Sequence, residues 1–284
     1  MKEMRQLIAL AACAAMQLIL AAAAPAPSAP PAPPSAEELA KLRPIVARGR
    51  LLFDLDRAAW VATDDFLKKV RDPAAAGFKG YVVDREGDGF AVIFYGGEGE
   101  ALIARYAAHV SGGRVTSARV LQAAEQVPLT PLQLRMAKAR SIGPGPDYRP
   151  CTNAAFNAAI VPPASLDAPL EMYLTSAQTN ANVYPFGGHY LLNIAPDGRL
   201  LSVRKFTNSC LNMERPRGGG RRGEPAALFV SHLLDATPTE IHVFMALSAK
   251  LPIFVAIGDP HSMWIVTGDG MGQIPMPAGR RRRN

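Results

Sequence analysis

Residues 1–36 set the first constraint on this fold, because nothing in them can build a packed core. Lys2 and Arg5 precede an apolar run from Leu7 to Ala24 that is broken only by Gln17 and closed by small residues. This is the order of a secretory signal, with cleavage expected after Ala23, so that 1–23 is the signal peptide. Leu10-Ala11-Ala12-Cys13 offers a second reading, a lipobox in which Cys13 carries a lipid anchor. The tract PAPSAPPAPPSA, Pro25 to Ala36, has no apolar period and reads as a Pro/Ala-rich tether over 24–36. The folded part therefore begins near residue 37, and its compartment is periplasmic or secreted.

Two units are expected beyond the tether. Hydrophobic residues make up 49% of the chain, enough for one large core or two modest ones. The run SIGPGPDYRP contains Gly143, Pro144, Gly145 and Pro146, which neither continue a helix nor join a central strand. It divides an N-terminal unit, 37–141, from a C-terminal unit, 151–277, through a linker at 142–150. A basic tail occupies 278–284.

The net charge of +7 is local. Arg215, Arg217, Arg221, Arg222 and Arg280 to Arg283 sit in two glycine-flanked segments, and the remaining body is nearly neutral. Solvated, mobile charge is the simplest reading of both. The functional alternative is contact with anionic lipid through Arg215–Arg222 and Arg280–Arg283. Nucleic acid is not an expected partner, since neither segment interleaves aromatic residues.

Once the signal is removed, only Cys151 and Cys210 remain. In an oxidising compartment one pair permits one disulfide, so Cys151–Cys210 is expected. A thiol nucleophile at Cys210 is the competing reading.

The spacing predicts a helix opened by the capping box Ser35-Ala-Glu-Glu38, then period-two residues Leu51, Phe53 and Leu55, with Trp60 in the core. A second helix follows from Thr63 or Asp64. FKGYVVD and FAVIFY around a glycine-containing loop read as a hairpin over 78–94. Leu102, Ile103, Tyr106, Ala107 and Val110 share a helical face that Gly112-Gly113 would end. Thr130-Pro131-Leu-Gln133 opens another helix, to about Arg140. In the second half, 155–161, 170–175 and 227–234 read as strands, and 189–206 as a hairpin turning at Ala195-Pro-Asp-Gly198. Thr237-Pro-Thr-Glu240 is a third capping box, before a segment, 241–248, that fits helix or strand. Strands at 251–257 and 263–267 close the unit. The expected class is α+β: a small N-terminal α/β unit with a hairpin, then a mainly antiparallel C-terminal sheet with one packed helix.

The densest polar constellation is HLLDATPTEIH, His232 to His242. It sets His232, Asp235, Thr239, Glu240 and His242 at one strand-to-helix junction, where ligands of sheet proteins commonly sit. Zinc is bound by neutral imidazoles and carboxylates, so His189, His232 and His242 are candidate ligands, with Asp235, Thr239 and Glu240 beside them. The caps and turns of an ordinary junction explain the same residues. No Gly-x-Ser-x-Gly elbow and no phosphate-binding glycine loop is present.

The order of elements over 185–270 resembles the JAB/MPN metal-hydrolase fold. The resemblance implies zinc-dependent cleavage of peptide or isopeptide bonds. His232 matches the family's first histidine, and Leu234 stands where its second belongs. Thr239 lies near the motif serine, His242 takes the aspartate's place, and His189 is close to the position of the glutamate base. The chain otherwise resembles uncharacterised exported bacterial proteins. Two functions are thus carried forward: a non-enzymatic module that binds an envelope ligand or protein, and a zinc-dependent hydrolase.

Overall fold

The structure, a computed structural model, describes residues 35–215, 227–258 and 262–275. The signal peptide, Cys13, residues 24–34 of the tether, Arg217 to Arg222 and the arginine tail lie outside the described residues, and the tether's last residue, Ala36, already belongs to the first helix.

A single 34-residue helix, α1 (Ala36–Lys69), opens the fold and runs through Pro44. Sequence spacing divides this stretch into two helices separated by period-two residues, and the structure corrects that. The reason is that α1 is packed on two sides. Leu42, Leu52 and Leu55 join one apolar cluster with the C-terminal half, while Ala58, Ala62 and Phe66 join another with the first sheet. A helix buried on two stripes has no single amphipathic face, so its apolar residues mimic a two-residue period. Trp60 is not core. It is 57% exposed, with the Arg57 guanidinium stacked 4.8 Å from its ring.

The first sheet is an antiparallel meander of β1 (Phe78–Glu86), β2 (Gly89–Gly96), β3 (Ile103–Ser111) and β4 (Arg114–Val120). The 78–94 hairpin is as expected. The helix expected over 102–110 is instead strand β3, whose burial alternates residue by residue. Ala104, Tyr106, Ala108 and Val110 point into the core. Alanines weakened the strand signature, and pairing on both sides with β2 and β4 overrides local propensity. Gly112 and Gly113, at φ +56° and +70°, make the turn into β4 rather than a helix stop. Helix α2 (Pro131–Ala139) forms as its sequence predicts: Thr130 Oγ1 accepts from Gln133 N at 3.3 Å, and Gln133 Oε1 accepts from Thr130 N at 3.2 Å.

The second half holds β5 (Phe156–Val161), β6 (Leu170–Ser176), β7 (Val183–Pro185), β8 (Tyr190–Ile194), β9 (Leu200–Lys205), β10 (Asn212–Glu214) and β11 (Leu228–His232). Helix α3 (Glu240–Ala249) follows, then β12 (Ile253–Ile257), β13 (Ser262–Val266) and β14 (Met271–Pro275). One antiparallel sheet has the order β5-β6-β8-β9, and β7 pairs with β10. The last sheet is β11-β12-β13-β14; β11 and β12 run parallel and are joined across α3, and the other pairs are antiparallel. Residues 241–248 are therefore helix. Strands β4, β7, β10 and β14 escaped the sequence reading. The class is α+β, dominated by antiparallel sheet.

The apolar clusters combine residues from both sides of 142–150. One gathers α1, α3 and the last sheet; another packs Val82, Tyr95 and Met136 against Leu170, Met172 and Leu192. At Gly49 α1 packs closely on α3, so that an added Cβ would lie 2.5 Å from Val243 Cβ. Cys151 and Cys210 form a disulfide with Cα atoms 5.3 Å apart. Beneath it Gly187 and Gly188 pack so tightly that a Cβ on either would come within 2.5 Å of a neighbouring atom.

Candidate functional site

The junction that the sequence singles out is real, but its wiring differs. Strand β11 ends at His232, and α3 begins at Glu240 with Thr239 as N-cap. The capping box is shifted by two residues from the expected Thr237–Glu240 spacing, because His242 occupies the N3 position. Its Nδ1 accepts the Thr239 backbone N–H at 3.0 Å, and the Thr239 hydroxyl lies 3.1 Å from the same nitrogen. A ring nitrogen that accepts from an amide carries no proton, so the neutral His242 ring is protonated at Nε2. Burial, reinforced by His232 and His189 nearby, pushes its pKa down to about 3.

His232 is buried, and its Nε2 donates to Asp235 Oδ2 at 2.8 Å. The rings of His232 and His242 meet edge to face, 4.7 Å between centroids. Asp235 is shared: its Oδ1 accepts from Arg204 Nη2 at 2.8 Å. Arg204 Nη1 lies 3.8 Å from Glu240 Oε1, which accepts from the Tyr173 hydroxyl at 3.0 Å. The Tyr173 phenol is held far above its ordinary range by burial and by the charge of Glu240. One guanidinium thus ties the carboxylates at both ends of the junction to β9, and a phenol ties the helix start to β6.

His189 shares no hydrogen bond with these residues among those described and bonds elsewhere. It is 1% exposed, its Nε2 donates to the Pro185 carbonyl at 2.8 Å, and its buried Nδ1 has no partner among the described residues. Burial pushes its pKa down to about 4. The three histidines are not gathered as a ligand set. Among the described residues no group of three or more His, Cys, Asp or Glu could hold a metal ion. One nitrogen of each ring is engaged, to Pro185, Asp235 and Thr239 in turn.

His232 and His242 line a cavity of about 120 Å³ between the β11–α3 junction and residues 206–211. Phe186, Phe206, Val230, Ile241 and Met245 supply apolar lining, and no lining residue is Lys, Arg, Asp or Glu. The buried Thr207 Oγ1 has no partner among the described residues. At the rim stand exposed leucines, Leu233 at 78% and Leu211 at 43%. Segment 206–211 was missed by sequence reasoning. Its one available signal was Cys210, because the disulfide anchors this wall to residue 151. Arg204 and Tyr173 had no signal; they lie 31 and 67 residues from their partners.

The arginine-rich loop enters the described residues only at Arg215. Arg215 Nη2 donates to the Ala249 carbonyl at the end of α3, and its guanidinium lies 5.8 Å from the Tyr184 ring, so this arginine belongs to the fold. No helix among the described residues is long and apolar enough to cross a membrane. The chain matches no family model, no curated protein and no solved structure.

Proposed function

We propose that this chain is a binding module that works outside the cytoplasm, periplasmic or secreted, and captures an apolar side chain in the cavity beside His232 and His242. One observation carries the reading: a cavity with no Lys, Arg, Asp or Glu in its lining is rimmed by exposed leucines. Exposed apolar residues around an apolar cavity mark interaction surfaces. The volume suits a single side chain, since a cavity of about 150 Å³ holds a benzene ring. The disulfide and the signal-like N-terminus support the compartment. The burial that keeps His242 neutral suits an uncharged guest.

The test uses N-acetyl-leucinamide as probe and the imidazole ¹H–¹⁵N resonances of His232 and His242 as readout. Saturable shifts of both rings are expected. Ser209→Trp, which places a bulky ring at the cavity mouth on an exposed position, should weaken binding at least tenfold. Rings that stay unshifted at millimolar probe would refute the reading.

A further inference from the structure

We propose that the partner is an extended, uncharged polypeptide segment that adds to the last sheet as a fifth strand along β11, with one apolar side chain seated in the cavity. The proposal rests on the side-chain-capture reading above and goes further, to the class of ligand.

Among the described residues, β11 forms an open edge of the last sheet. In the order β11-β12-β13-β14, β11 pairs with β12 alone among the described residues. Leu228 N donates to Pro252 O at 2.9 Å, and Leu228 is in register with Ile253. In a strand, successive residues direct their N–H and C=O groups to opposite edges. Leu228, Val230 and His232 therefore bond toward β12, while Phe229 and Ser231 turn theirs away from it. No backbone partner for either is found among the described residues. Both side chains are exposed, Phe229 at 53%.

Two further features decide what fits that edge. Ser231 also lines the cavity, so the open edge and the cavity share a wall. A strand laid on this edge therefore passes the cavity mouth, and every second side chain of it faces the same way. The outer surface it would extend is apolar: Phe229 is in register with Phe254 and then Ile265, and Ser231 with Ala256 and then Met263. Natural sheet edges are protected by charges, prolines or bulges, and β11 has none of these. The absence of Lys, Arg, Asp and Glu from both edge and cavity matches an uncharged segment. Main-chain bonds would then supply affinity and the cavity would supply specificity, the usual division in strand addition.

The test titrates the disulfide-bonded protein with acetyl-Thr-Val-Leu-Val-Thr-amide. Binding should slow amide hydrogen exchange at Phe229 and Ser231 at least tenfold. Peptides N-methylated at alternate residues should separate: one pattern binds at least tenfold weaker, because it blocks the bonds to the edge, and the other binds within twofold of the parent. Ser231→Pro removes an outward N–H without touching the β12 ladder, and should abolish binding while Ser231→Ala keeps it. If both N-methylated patterns bind like the parent without protecting the edge, strand addition is wrong and side-chain capture stands. If neither the peptide nor N-acetyl-leucinamide binds, both readings fall. Sedimentation showing a dimer held through β11 would overturn the proposal in favour of a second copy as occupant.

Discussion

Replacing Gly49 by alanine sets two effects of opposite sign against each other. In an exposed helix interior, alanine is favoured over glycine by about 1 kcal/mol. At this position the new Cβ would lie 2.5 Å from Val243 Cβ and 2.6 Å from the Glu240 carbonyl oxygen. Carbon atoms pack at about 3.5–4.0 Å, so α1 and α3 must separate by roughly 1 Å. Overpacking of this kind costs about 1–3 kcal/mol, and a backbone carbonyl cannot rotate aside as a flexible side chain can. Set against the alanine preference, this leaves a net loss of up to about 2 kcal/mol, seen in urea unfolding as a lower midpoint with the slope unchanged. Glu240 opens α3, so the same displacement reaches His242. Its imidazole resonances should shift, and N-acetyl-leucinamide should bind more weakly. A Gly49→Ala protein at least as stable as the parent, with His242 unmoved, would refute the close-approach argument.

Stability should fall on acidification, and the sign follows from the buried rings. His189 and His242 have folded values near 4 and 3, against an ordinary 6.5, so below pH 6.5 the unfolded chain binds protons that the folded chain refuses. Their contribution is fully present above about pH 6.5 and is lost as pH falls toward those folded values, by up to about 1.4 kcal/mol per unit for each ring. Asp56, pushed up to about 6 by burial, opposes this below pH 6 by taking up a proton when folded. A net loss of about 2–3 kcal/mol between pH 6.5 and 5 is expected in denaturant titrations, with a flatter profile for His242→Gln. Cys151→Ser/Cys210→Ser removes a bridge of sequence separation 59 and should cost up to about 4 kcal/mol; two free thiols in the exported protein would count against the bridge. Tyr173→Phe removes the hydroxyl that bonds Glu240 and should cost about 1–2 kcal/mol. A double-mutant cycle with Glu240→Gln that shows no coupling would place Tyr173 outside the network. Trp60→Ala should change stability by under about 1 kcal/mol, since the ring is mostly exposed.

Features whose chemistry is local were legible in the sequence. The Thr130–Gln133 cap, the 78–94 hairpin and the Ala195–Gly198 turn each depend on a few adjacent residues, and each forms where their spacing places it. The disulfide was legible by elimination. The junction from His232 to His242 could be found because its polar residues are close in sequence. What they do there could not be read, because Asp235 and Glu240 are partnered from β9 and β6, and the cavity's second wall comes from residues 206–211. Tertiary packing decided the continuity of α1 and the strand character of β3. Propensity is worth only tenths of a kcal/mol per residue, and burial on two sides or pairing with two strands outweighs it. The protonation of His189 and His242 was decided the same way. An imidazole's ordinary value belongs to its residue type, but the loss of water around it belongs to the assembled fold.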